Sequence, residues 1–190
     1  MKFLSTLSEN ITSRLVTILT VAIAWVLFFN VNTYALTYFN HSQHISYVFL
    51  PSGIRLIAVL LCGVDGVLGL FVGALFSNFN LHFDTTTILM FSLISSLNPY
   101  VSVALTKYFL KLDTLLVGIK PKNLFSLSFF AALCNCITHN IYFWLHHLEK
   151  DDFIKSSIKM FIGDFLGALI VLYIIGFGIK GVRMFVGKPQ

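Results

Sequence analysis

Tyr47-Val-Phe-Leu-Pro-Ser-Gly-Ile-Arg-Leu-Ile-Ala-Val-Leu-Leu-Cys62 is an apolar run interrupted by a proline, a glycine and one arginine, Arg55. Its length and composition suit a membrane span, and a guanidinium cannot shed its charge there. Placing it in mid-bilayer costs ~2.5 to 3.5 kcal/mol on insertion scales. Something must compensate: an internal carboxylate, carbonyls of a broken helix, or a bound anion.

The rest of the chain shares this character. Of 190 residues, 57% are hydrophobic and 11% charged, against about 25% charged in soluble domains, and mean hydropathy is +0.85. A soluble globule of this size could not cover so much apolar surface. The fold class is therefore an all-α polytopic transmembrane bundle, forming a single integral membrane domain over residues 1–190.

Polar breaks divide the chain into six expected spans at residues 13–36, 45–62, 66–79, 86–106, 124–145 and 160–179. The third is short, since ~20 residues are needed to cross the hydrocarbon core. It must run past Asn80, lie in a thin region, or be partly re-entrant. Residues 1–14 do not read as a cleaved signal peptide: Glu9, Asn10 and several hydroxyls interrupt them, and no small-residue cleavage site follows.

With a cytoplasmic amino terminus, Lys2, Arg14, Lys107, Lys111, Lys120, Lys122, Lys180, Arg183 and Lys188 fall inside. Only Lys150, Lys155 and Lys159 fall outside, next to Glu149, Asp151 and Asp152. This bias predicts both termini in the cytoplasm. The net charge of +5 thus follows topology, and no soluble basic face exists for nucleic acid.

Asp164, in Met-Phe-Ile-Gly-Asp-Phe-Leu-Gly-Ala-Leu, is the intramembrane carboxylate. It sits about one turn inside the sixth span from the outer side, and Arg55 about two turns inside the second, so a long Arg side chain can reach it. The pair either neutralises two charges and fixes helix register, or lines or gates a ligand site. Pro51-Ser-Gly53 should disrupt the start of the second helix, and Pro99, after Asn98, the centre of the fourth. Two breaks imply an internal polar cavity.

The fifth span carries Ser128, Asn135, His139, Tyr142 and His146 at helical spacing, with Asn140 to one side. This stripe should face the interior, with His139 as an interhelical hydrogen-bonder rather than a ligand to metal. Gly66, Gly69, Gly73 and Ser77 share one face of the third span, and Gly163 and Gly167 form a small-xxx-small pair in the sixth. Both faces should pack closely against neighbouring helices. Asp65 reads as a solvated residue of the inner turn. Asn40-His-Ser-Gln-His44 and Asn80-Leu-His82 place imidazoles near the outer surface.

Cys62, Cys134 and Cys136 read as small buried hydrophobes, since Cys134-x-Cys136 sets its thiols about 200° apart on a helix. No metal or cofactor is expected. No Ser/His/Asp context, phosphate loop, HExxH or paired carboxylate motif is present, so enzymatic activity is not expected either.

The stretch Phe49-Leu-Pro-Ser-Gly-Ile-Arg-Leu-Ile-Ala-Val-Leu-Leu-Cys-Gly63, then Gly66-Val-Leu-Gly-Leu-Phe-Val-Gly-Ala-Leu-Phe-Ser-Asn78, resembles the membrane-associated sensor domain of the first MASE type. That family shows an aromatic-x-Pro-x-Gly opening and a Gly-rich helix ending near Asn, and Gly163-Asp-Phe-Leu-Gly167 resembles its late Gly-Asp-x-x-Gly element. The resemblance implies a sensor module of the bacterial inner membrane. Arg55 departs from it, standing where an apolar residue is usual. Members precede a kinase or cyclase output domain, whereas this sequence ends at Gln190, so the expectation is signalling through a separate partner bound at Lys107, Lys111, Lys120 and Lys122. In size and span count the chain is also similar to the substrate-binding subunit of energy-coupling-factor transporters, although Ala22 and Ala24 do not reproduce the small-xxx-small motif of the first helix there. A structural subunit of a larger membrane complex is the third expectation.

Overall fold

The computed structural model describes residues 2–36, 38, 45–79, 83–111, 121–148 and 152–185, with side chains from 10–36, 38, 45–79, 83–111, 122–148 and 152–176. The described residues form five helices: α1 (Lys2–Ala35), α2 (Pro51–Phe79), α3 (Thr85–Leu110), α4 (Pro121–Leu145) and α5 (Phe153–Phe185). Each contains a stretch long and apolar enough to cross a membrane, and the chain is a multi-pass helical membrane protein. The outward faces are apolar, as with Leu15, Leu19, Ile23 and Leu27 along α1, which suits contact with lipid.

Five elements stand where the sequence predicts six spans, because the second and third fall within α2. The helix is broken inside it at Gly63, whose φ of 55° and ψ of −125° lie in a region open to glycine alone. Contacts on either side show what the break does. Before it, the Leu50 N–H donates to Asn32 Oδ1 near the end of α1 at 2.9 Å. After it, Arg14 near the start of α1 meets Asp65 at 2.8 Å. Gly69 then lies against Ile18 and Val21, and Gly73 against Ala22 and Trp25.

Residues 51–62 therefore descend antiparallel to α1, and residues 64–79 climb back parallel to it. The reversal takes one residue. The arms touch just beyond this corner, where a Cβ on Gly66 would overlap the Ala58 carbonyl. Asp65 is not merely a solvated turn residue: it accepts from both Nε and Nη2 of Arg14, pinning the corner to α1.

The stretch expected to open the second span as helix does something else. Residues 45–50 are non-helical, and Pro51 begins the helix, the position where its missing N–H is no loss. The strip lies along α5, with the Phe49 N–H donating to the Gly163 carbonyl at 3.0 Å. A Cβ on Gly163 would collide with the Ser46 carbonyl, and one on Gly167 with that of Phe49. Gly163 and Gly167 thus seat a bare strip of backbone, not the neighbouring helix expected for them. Gly69 and Gly73 do pack on a helix, α1.

α3 starts at Asp84, whose carboxylate accepts from the Thr87 N–H at 3.0 Å, the usual way an N-cap satisfies an orphan donor. It ends at Lys111 in the left-handed region. The helix continues through Pro99, so the expected second break is absent. Buried hydroxyls, Ser92, Ser102 and Thr106, donate to carbonyls one turn back on the same helix, as small polar residues do in apolar surroundings.

Candidate functional site

The break at Pro51 and the corner at Gly63 determine where Arg55 points. The arm that carries it is central, and α2 packs against α1, α3, α4 and α5. Arg55 is 4% exposed and Asp164 3%, and Arg55 Nη2 lies 3.1 Å from Asp164 Oδ1. The ion pair expected from matched depths is formed. Each charge is buried with the other, which is what makes their burial tolerable; removing one partner of such a pair typically costs about 3–5 kcal/mol.

Asn135 on α4 completes the arrangement. Its Oδ1 accepts from Arg55 Nη1 at 2.6 Å, and its Nδ2 donates to Asp164 Oδ2 at 2.5 Å. Asn98 on α3 donates to the same Asn135 oxygen at 3.1 Å and to Thr138 Oγ1 at 2.7 Å. Arg55, Asn98, Asn135 and Asp164 therefore form one connected network drawn from α2, α3, α4 and α5. Ser52 extends it, donating to the Asp164 carbonyl oxygen at 2.7 Å.

Above the network lies a cavity of about 300 Å³, the lower end of the range for small-molecule sites. Its walls come from the end of α1, both ends of α2, the start of α3, the end of α4 and the start of α5. Arg55, Asn135, His139 and Asp164 line it, whereas Asn98 lies in a small adjoining space below. His139 Nδ1 reaches the carbonyl oxygen of Asn135 at 3.2 Å and Nε2 faces Ser95 Oγ at 3.4 Å. A carbonyl only accepts, so Nδ1 is the donor, and in the neutral imidazole Nε2 is left to accept.

Most of the α4 stripe is buried as expected: Ser128, Asn135, His139 and Tyr142 face inward, while His146 is exposed. Asn140, off the stripe, is also buried and donates to the Cys136 carbonyl. Among the described residues no three His, Cys, Asp or Glu side chains are placed to hold a metal ion. His41, His44, His82 and Lys120 lie outside the described residues. Of the other lysines expected to meet a partner, Lys107, Lys111 and Lys122 sit at the facing ends of α3 and α4, away from the cavity.

Sequence reasoning missed the aromatic half of the site. The Arg55 guanidinium carbon sits 5.5 Å from the centre of the Trp25 ring and 5.2 Å from that of Phe49, within the range of cation–π attraction. Phe29, Phe91 and Phe143 add further walls. Among 20 phenylalanines, nothing in the local pattern separates these from lipid-facing rings. Trp25 does carry a signal in hindsight, being the only tryptophan within the first apolar run.

The arrangement can hold a small molecule between aromatic faces and a charged, hydrogen-bonding floor. No family model matches the chain, and neither a curated protein nor a solved structure matches it.

Proposed function

We propose that the chain is a sensor-like, ligand-binding membrane module without enzymatic activity, which acts through a separate partner. The observation that carries this reading is the cavity: an aromatic chamber near one end of the bundle, floored by a buried cation and carboxylate that are paired with each other and hydrogen-bonded to Asn135. A pair serving register alone needs no adjoining space.

The distribution of basic residues supports one orientation. Arg14, Lys107, Lys111 and Lys122 lie at the end opposite the cavity, so the cavity faces outward and both termini are cytoplasmic. Counting the two arms of α2 separately, the chain crosses the bacterial inner membrane six times. A partner would then meet the cytoplasmic ends of α3 and α4.

Two measurements, one on detergent-purified protein and one in membranes, test this. Denaturing extraction and mass spectrometry should recover a small molecule from the wild type and not from Ser95→Trp, which fills the chamber. Crosslinking from Lys111 in membranes should capture a soluble or membrane signalling partner. Recovery of a molecule together with a transporter ATPase would favour the substrate-binding subunit of an energy-coupling-factor-type transporter. An empty wild-type chamber with co-migration in one large complex on a native gel would contradict ligand binding and favour a structural subunit.

A further inference from the structure

The hydrogen-bond inventory of the chamber is lopsided. Arg55 uses Nη1 and Nη2 on Asn135 and Asp164, but its Nε–H has no partner, and neither does the Nε1–H of Trp25. Both nitrogens are buried, both side chains line the chamber, and the two meet at 5.5 Å between guanidinium carbon and ring centre. Each can only donate.

The nearby acceptors are already engaged. Asn135 Oδ1 takes two donors, from Arg55 and Asn98. Asp164 takes one on each oxygen, from Arg55 and Asn135. Buried donors without partners are rare in native proteins and mark a place where something else supplies the acceptor. Charge narrows the choice. Arg55 and Asp164 contribute one positive and one negative charge, and His139 engages as a donor at one nitrogen and an acceptor at the other. An anionic ligand would bring an uncompensated charge to this depth, whereas a neutral carbonyl oxygen would not. Aromatic walls from Trp25, Phe49, Phe91 and Phe143 suit a flat apolar body.

We infer that the chamber takes an uncharged, flat, largely apolar molecule carrying a carbonyl or amide oxygen, which accepts from Trp25 Nε1–H and Arg55 Nε–H. This rests on the ligand-binding reading above and specifies its chemistry. The test uses three probes of one shape: 2-quinolone, with a neutral amide carbonyl; naphthalene, with no acceptor; and 2-naphthoate, an anion. Equilibrium dialysis against wild-type protein in detergent is compared with Ser95→Trp, which corrects for partition into micelles.

The expected order is 2-quinolone first, naphthalene at least tenfold weaker, and 2-naphthoate weakest. Trp25→Phe, which keeps a ring and removes the donor, should weaken 2-quinolone about tenfold and leave naphthalene unchanged. Thermal unfolding confirms that this variant folds; should it not, the probe order on the wild type decides alone. Preference for 2-naphthoate, or an unaltered 2-quinolone preference in a folded Trp25→Phe protein, overturns the inference while leaving the chamber a ligand site. Binding of none of the three beyond the Ser95→Trp level overturns the inference and the ligand-binding reading together.

Discussion

Two glycine pairs with the same spacing do different work in this bundle. Gly69 and Gly73 bring α2 against α1, where their nearest neighbours are Val21 Cβ at 2.6 Å and the Ala22 carbonyl oxygen at 2.9 Å from where a Cβ would stand. Gly163 and Gly167 instead admit the bare carbonyls of Ser46 and Phe49. The first pair joins two helices. The second holds an unwound strip inside the bundle, and that strip leads directly into Pro51 and Arg55. A small-xxx-small spacing therefore reports close backbone approach and leaves open what approaches.

The two surfaces should also differ in how they yield. Among the described residues α1 packs on no helix but α2, and it can move outward into lipid. The strip at 46–49 is confined between α5 and the interior, with its Phe49 N–H bonded to Gly163. Gly163→Ala should accordingly be the most damaging glycine change, near the upper end of the ~1–3 kcal/mol typical of overpacking, seen as a large fall in unfolding temperature in detergent. Equal tolerance of Gly163→Ala and Gly69→Ala would break the comparison.

Gly63→Ala separates conformation from crowding. A Cβ there meets nothing within 4 Å, so its effect should come from backbone strain alone, about 1–3 kcal/mol. Unaltered stability would mean that the corner is not held at positive φ. Gly69→Ala should follow at ~1 kcal/mol, the low end of overpacking, because α1 can give way.

The smallest effect concerns acid. Hydrogen bonds from the Thr87 side chain and backbone N–H hold the Asp84 carboxyl below its ordinary 3.8. A folded-state value below the unfolded one means this cap supports α3 above about that pH, and its contribution disappears as pH falls through the lower, folded-state value. Wild-type stability should therefore decline slightly more than that of Asp84→Asn below pH ~4, on an acid titration followed by circular dichroism. Parallel acid profiles would contradict the cap.

Much of the polar site was legible because rare residues stand out in an apolar chain. Arg55 and Asp164 could be matched by depth, Asn135 and His139 by helical spacing, and Asn98 by its place before Pro99. The break of α2 was legible only in part. Gly63 and Pro51 mark possible ends, but they do not say that residues 45–50 stay unwound along α5, which depends on carbonyls finding room at Gly163 and Gly167. Pro99 shows the converse, since a proline between packed helices left α3 continuous. Phe49 was hidden among 20 phenylalanines, and Trp25, though rare, gave no direction: in a membrane protein an aromatic ring facing a cation and one facing lipid look alike in sequence.

The central claim is that the strip seated on α5 delivers Arg55 to Asp164 as a dependent pair beneath the chamber. A double-mutant cycle of thermal or denaturant stability with Arg55→Met, Asp164→Leu and the combined variant measures that dependence. Each single change should cost about 3–5 kcal/mol by stranding the opposite charge, and the double variant should recover most of that loss. Strictly additive losses would contradict the account.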